Sequence, residues 1–340
     1  MPKKDRPARQ FLIIKFFGLG SLARIVHVLE QDSDIKSRVR FLTLKKNQPL
    51  MEELNLEATF VNDKNIFRFF GSTVCQVLSI WRSQSITVLN MERSSNLAGL
   101  FGMIAAIGKP YRGFHFKPKN KSIAGQKWIN LVNQTATNAI AEMLEISINP
   151  TRPQQKSTRK TIEVIALNIN AGDYLPERKF PFDKWVELCR ELSTYFPNAT
   201  LVLTGLSNEK IYVDQLEQKL KSETPGIRIN NLAGKQNISQ FLDFLKSIDL
   251  FITNDSGPLH FANLKGVKTV AIWGPTLAKQ VGYSDSEMML NLQLEKSCSP
   301  CFIHPKSCVA KACNGQLSCF QEMDTFDMVR RIHKFAGQQL

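Results

Sequence analysis

At 340 residues, 43% hydrophobic and 22% charged, the chain has the composition of a globular protein and length enough for two domains of about 150 to 200 residues. No apolar run reaches the ~18 residues of a membrane-spanning helix, which excludes that class of integral protein from the sequence alone. The formal net charge is +14 and lopsided: residues 1–160 hold 25 Lys and Arg against 11 Asp and Glu, and residues 161–340 hold 19 of each. A basic half beside a neutral half points to one domain meeting an anionic partner. Nucleic acid, anionic lipid headgroups and a phosphorylated lipid-linked sugar all qualify; without a nucleic-acid motif, the two lipid readings lead.

The basic start MPKKDRPARQ runs into FLIIKFFGLG. Lys15 interrupts the apolar stretch and no small-residue cleavage site follows, so residues 11–17 are expected as a first buried strand, not a signal peptide. Gly18, Leu19, Gly20 and Ser21 then turn into a helix over residues 22–31, the first glycine allowing a tight turn and the second a close ligand approach. Strands are expected at 39–43 and 86–90. The second leads into Met91, Glu92 and Arg93, at a strand end where α/β folds place ligands and catalytic groups. Residues 109–126, KPYRGFHFKPKNKSIAGQ, read as an exposed loop, with cations for phosphate and Tyr111, Phe114 and Phe116 for sugar faces or acyl chains; a disordered surface segment is the other reading. A helix over 127–144 closes the first domain. Residues 149–160, NPTRPQQKSTRK, form the linker.

The second domain is expected to open with a strand at 162–168 and the polar turn NINAGDYLPERK. A helix (182–195), a strand (199–204), a helix through 221, a short strand and loop at NNLAGK and a further helix follow. Alternation of this kind argues for a parallel sheet covered on both faces. The chain is organised around residues 249–276, DLFITNDSGPLHFANLKGVKTVAIWGPT: a strand at 250–253, a helix capped by Asp255 or Ser256 with Pro258 in its first turn, a stop at Lys265 and Gly266, and a strand at 269–273. The helix start offers backbone N–H groups beside a hydroxyl, a carboxylate and an imidazole, a corner suited to phosphate; an ordinary capped βα loop is the alternative. Five of seven cysteines crowd the tail. Cys298, Cys301, Cys308 and Cys313 are candidate structural zinc ligands, with reduced thiols or a disulfide equally open. A last helix is expected over 324–336.

NDSGPLHFA and AIWGPT, with IIKFFGLGS, NINAGDYLPERK, LVLTG and NLAGK in the same order, resemble the heptosyltransferase-like glycosyltransferases of family 9 over essentially the whole chain. The resemblance implies an α/β GT-B fold, two Rossmann-like domains facing a central cleft. Residues 1–155 would bind the acceptor and 156–323 the nucleotide-sugar donor, with the helix in 324–340 crossing back to the first domain. It implies transfer of heptose from ADP-heptose to a lipopolysaccharide-core or other lipid-linked acceptor, with inversion, in the cytoplasm at the inner face of the membrane.

Residue by residue, the resemblance implies donor contacts from Asn254, Asp255, Ser256, Gly257, Leu259 and His260, bordered by Asn168, Asn170 and Asp173. Arg178 or Lys179 would supply a cation, Arg178 standing nearest to the family's phosphate-contacting base. Gly18, Gly20, Arg93 and Arg112 fall on the acceptor side. In the family an Asp usually follows the last glycine of the first turn and serves as catalytic base. Here Ser21 stands in that place, and a hydroxyl holds no proton-accepting charge at neutral pH, so Glu92 is named as the replacement base. No acidic pair is assigned to a divalent cation; catalysis without metal or other cofactor is expected. Two other readings stay open: a relative that binds nucleotide-sugar or anionic lipid without turnover, and a GT-B sugar-nucleotide epimerase.

Overall fold

The computed structural model describes residues 10–61, 71, 75, 86–92, 107–115, 126–130, 135–148, 161–172, 175–299, 301 and 316–337. Backbone contacts divide the chain into two units, Met1–Arg152 and Pro153–Leu340.

In the first unit the strands are β1 (Gln10–Ile14), β2 (Val39–Leu44), β3 (Ala58–Val61), β4 (Ile86–Asn90), β5 (Tyr111–His115) and β6 (Gln126–Asn130). All pair in parallel, in the order β3-β2-β1-β4-β5-β6. The helices are α1 (Leu19–Leu29), α2 (Ser33–Ser37), α3 (Gln48–Glu53) and α4 (Ala136–Leu144). β1 and β4 are apolar on both faces because a central parallel strand has helices on each side. α1 begins at Leu19 rather than at 22: Gly18, at φ 82°, takes the left-handed conformation that lets the chain enter the helix at once.

Two expectations are corrected here. Residues 111–115 form a strand, not an exposed loop, and Tyr111 and Arg112 are buried; Tyr111 accepts a hydrogen bond from Asn90 Nδ2 at 3.2 Å. Residues 126–130 also form a strand rather than the start of a helix. Trp128 and Ile129 suit a strand, and the helix starts only where Thr135 caps it by accepting from the Asn138 N–H.

The second unit repeats the plan with β7 (Val164–Asn168), β8 (Thr200–Thr204), β9 (Ile229–Asn231), β10 (Leu250–Asn254), β11 (Thr269–Trp273) and β12 (Met289–Gln293), ordered β12-β11-β10-β7-β8-β9 and all parallel. Its helices are α5 (Phe182–Tyr195), α6 (Lys210–Glu223), α7 (Ile238–Leu245), α8 (Gly257–Leu264), α9 (Ala278–Val281), α10 (Ser318–Gln321) and α11 (Thr325–Phe335). Trp185, Val186, Leu188, Cys189 and Leu192 give α5 a stripe that is buried in the core with Met328, Val329 and Ile332 of α11. Each such side chain contributes about 1.5 to 3 kcal/mol when removed from water. The last helix, expected to return to the first domain, therefore packs on α5 of its own unit. The Thr325 hydroxyl also donates to Glu187 at 3.3 Å, and the Tyr195 and Phe326 rings meet edge to face at 6.1 Å.

Strand order decides where a site can form. In each sheet the order reverses once between neighbours, β1 beside β4 and β7 beside β10, and the loops leaving such a pair diverge to open a crevice at the carboxyl ends of the strands. Those ends carry Lys15 and Glu92 in the first unit, Asn168 and Asn254 in the second.

Candidate functional site

In the second unit Asn168 closes β7, in register with Thr253 of β10. Asn168 Nδ2 reaches the Ser256 hydroxyl at 3.0 Å, the Thr253 hydroxyl at 3.2 Å and the Asn170 carbonyl at 3.2 Å. Ser256 is the N-cap of α8 in extended conformation, yet its hydroxyl faces this cluster and α8 starts with no side-chain cap. The first-turn amides thus point from the positive end of the helix toward any acceptor that arrives, which is the physical basis of anion binding at helix starts.

Asn254 closes β10. Its Oδ1 accepts from the Phe180 N–H at 3.1 Å, and its Nδ2 donates to the Asn170 carbonyl at 3.3 Å. One carbonyl therefore serves two side-chain amides. The amide of Asn170 itself is buried, with neither Nδ2 nor Oδ1 partnered among the described residues. Leaving a buried donor or acceptor unmatched costs about 1 to 3 kcal/mol, so such a group calls for an explanation. Gly205 makes room for it, since a Cβ there would lie 3.1 Å from Asn170 Nδ2.

Charge at this corner comes from one pair. Asp255 Oδ2 accepts from the Thr276 hydroxyl at 2.8 Å and lies 3.4 Å from Arg178 Nη1; Arg178 Nη2 donates to the Ala171 carbonyl at 3.1 Å. The guanidinium is fixed from two sides while the side chain keeps 19% of its surface exposed. Lys179, the other candidate cation, lies with its Nζ 5.4 Å from the centre of the Tyr212 ring, which makes Arg178 the base of this corner. His260, buried in α8, has Nδ1 3.0 Å from the Tyr283 hydroxyl, and Asn291 holds the Tyr283 carbonyl at 2.8 Å.

In the first unit the turn after β1 is bolted down. Glu92 Oε1 lies 2.9 Å from Lys15 Nζ, and Oε2 accepts from the Phe16 and Phe17 N–H groups, both at 3.0 Å; the two charged side chains are 3% and 1% exposed. The Thr43 hydroxyl of β2 donates to the Lys15 carbonyl at 2.6 Å, and from the turn after β2 Asn47 Nδ2 donates to the Phe16 carbonyl at 3.1 Å. Three donors occupy the oxygens of Glu92, the residue named as replacement base, and it fastens the turn that presents Gly18, Gly20 and Ser21. The guanidinium of Arg112, expected on the acceptor side, is bound to the Met143 carbonyl and to Glu145. The one Asp-x-Asp spacing in the chain, Asp32 and Asp34, is structural too: Asp32 caps α2 through the Ile35 N–H and Asp34 pairs with Arg38.

The profile of glycosyltransferase family 9 (heptosyltransferase) matches residues 111–311, more than half of the chain. The chain belongs to that family. Among similar sequences, lipooligosaccharide heptosyltransferase 2 of Campylobacter jejuni serotype O:6 is 30% identical over 128 residues, and its counterpart in Haemophilus influenzae 27% over 105. These alignments span 38% and 31% of this chain and only 38% and 30% of the relatives. The fold match is broader. A family 9 glycosyltransferase structure from Veillonella parvula superposes with TM-score 0.71 at 15% identity, covering 97% of both chains. E. coli heptosyltransferase WaaC with ADP gives 0.65 at 12%, covering 96% of this chain and 99% of that one. Those likenesses carry the fold, and the fold is GT-B.

Against the family pattern, the structure brings Asn168, Arg178, Asn254, Asp255 and Ser256 into one hydrogen-bonded corner, with Gly257, Leu259 and His260 on the helix that starts there. Asp173, Arg93, Cys308 and Cys313 lie outside the described residues. Among the described residues no three His, Cys, Asp or Glu side chains are placed to hold a metal ion. Thr276 and Tyr283 received no role from sequence. Thr276 was legible only as the end of a WGPT turn, and nothing local marks Tyr283.

Proposed function

We propose that the chain transfers a sugar, heptose from ADP-heptose, to a lipopolysaccharide-core or other lipid-linked acceptor, holding the donor diphosphate where α8 begins. The observation that carries this reading is the inward turn of the Ser256 hydroxyl onto Asn168, which leaves α8 without a side-chain cap. The structures of E. coli heptosyltransferase WaaC with ADP and with ADP-2-deoxy-2-fluoro heptose support that donor class.

In this reading the acceptor hydroxyl oxygen attacks the anomeric carbon as the bond to the diphosphate breaks, inverting that centre, and the hydroxyl proton passes to water or to the departing diphosphate. Negative charge grows on the leaving diphosphate. Backbone N–H groups of Gly257 and Leu259 and the Arg178 guanidinium meet it; Pro258 has no N–H to give. One well-placed donor of this kind is worth about 3 kcal/mol in a transition state, and several together do the work of a divalent cation, so no metal is needed. The unmatched Asn170 amide gives a bound polar group a partner. The excess of base in residues 1–160 suits contact with an anionic membrane on the cytoplasmic side. No described helix is long and apolar enough to cross a membrane.

A second reading, nucleotide binding without transfer, is favoured by one observation: Ser21 replaces the family's Asp, and Glu92 is tied by three donors. Incubation with ADP-heptose and a lipid-linked acceptor, with ADP release followed alongside calorimetric ADP binding, separates the two. Acceptor-dependent ADP release supports transfer; tight binding with no release supports the second reading; no binding sinks both. Donor consumed without acceptor would indicate an epimerase.

A further inference from the structure

The described tail after residue 315 opens with a short helix, α10, that has no role in the reading so far. The tip of the Phe320 ring, on α10, abuts Gly274: a Cβ at Gly274 would stand 2.3 Å from its Cζ and 2.5 and 2.7 Å from its Cε atoms. The same ring meets Phe180 edge to face, centroids 5.5 Å apart, and is fully buried. Both neighbours belong to the donor corner. The Phe180 N–H holds Asn254 Oδ1 at 3.1 Å. Two residues after Gly274, the Thr276 hydroxyl holds Asp255 Oδ2 at 2.8 Å, and its carbonyl is held by Gln293. Cys301 secures the loop from the other side, its N–H donating to the Pro275 carbonyl at 3.0 Å.

The chain is also strained to deliver this ring. Leu317, which opens α10, sits at φ 48° and ψ 48°, one of three non-glycine residues at positive φ among those described. A side chain in that region is disfavoured and persists only where the surroundings over-determine it.

We propose that Phe320 is a positioning residue for the donor diphosphate. Its ring, wedged between Gly274 and Phe180, sets the two loops from which Thr276 and the Phe180 amide orient Asp255 and Asn254. Residues 317–321 are thereby part of the donor site and not an appendage. The proposal rests on the donor reading above for its ligand, but the clamp itself has a readout that needs no ligand.

The test uses the full chain with Phe320→Leu, Gly274→Ala and the pair combined. Hydrogen exchange is read by mass spectrometry on peptides covering 251–262 and 176–182, with 200–204 as reference, and ADP affinity by calorimetry. Phe320→Leu should speed exchange in the first two peptides but not in the reference, and weaken ADP binding at least 10-fold. Gly274→Ala should do the same by driving the ring away. Adding Phe320→Leu to it should recover part of the affinity, since leucine lacks the ring atoms that collide. Unchanged exchange in both peptides with ADP affinity within twofold of wild type overturns the proposal, even if the melting temperature falls. Should Gly274→Ala not fold, Phe320→Leu decides alone. If wild type binds no ADP, the donor reading fails while the exchange data still decide the clamp.

Discussion

Asp255 Oδ2 is shared between the Thr276 hydroxyl, 2.8 Å away, and Arg178 Nη1, 3.4 Å away. A carboxylate held this way aims the guanidinium more than it neutralises it, because the arginine keeps part of its surface open. Arg178→Ala should therefore lower ADP release at saturating donor by about 10² to 10³, as loss of a transition-state donor does. Thr276→Val removes a hydrogen bond to the Asp255 carboxylate and should cost about 10- to 100-fold. Wild-type turnover in Arg178→Ala would mean the diphosphate does not meet this cation.

Glu92 and Lys15 form a buried ion pair, and breaking one side leaves a charge stranded. Glu92→Gln should lower unfolding free energy by about 3 to 5 kcal/mol in urea titrations. Lys15→Met added to it should restore most of that loss, because the glutamine oxygen still accepts from Phe16 and Phe17. If Glu92 were the catalytic base instead, the single variant would keep its stability and lose turnover.

Asn168 supplies the donors that turn Ser256 inward. In Asn168→Ala the serine is released to cap α8, competing with an incoming phosphate. Stability should fall by about 1 to 3 kcal/mol, and ADP affinity should fall with it. A stable variant with unaltered affinity would refute the inward-turn argument.

Gly18 at φ 82° tolerates no side chain without strain, and a Cβ there would sit 3.3 Å from the Ser21 hydroxyl. Gly18→Ala should cost about 1 to 2 kcal/mol, visible as a drop of several degrees in thermal unfolding. An unchanged melting curve would show that the turn relaxes freely.

Burial pushes the Cys189 thiol far above its ordinary range and keeps it protonated. It should resist alkylation in the native protein and react only after denaturation, whereas exposed Cys75 reacts at once. Equal labelling rates, read by peptide mass spectrometry, would contradict the packing of α5.

Much of this was written locally. The alternation of strands and helices, the start of α8 at Ser256 and the strand ends at Asn90, Asn168 and Asn254 follow from apolar period and from Gly, Pro and Asn punctuation, which act over a few residues. The same local signals misplaced residues 127–130, which join the sheet beside β5 instead of opening the helix.

What the sequence determined by itself was the α/β class, the two-unit plan, and the strand–turn–helix corner formed by β10 and α8. What only tertiary structure decided was occupancy of the side chains. Glu92 is held by Lys15 from 77 positions away, Ser256 by Asn168 from 88, and Phe320 reaches Gly274 across the fold. A carboxylate's freedom to act, or a hydroxyl's choice between capping a helix and joining a network, depends on which donors lie within about 3 Å. Strand order brings those donors close, and no local pattern records it.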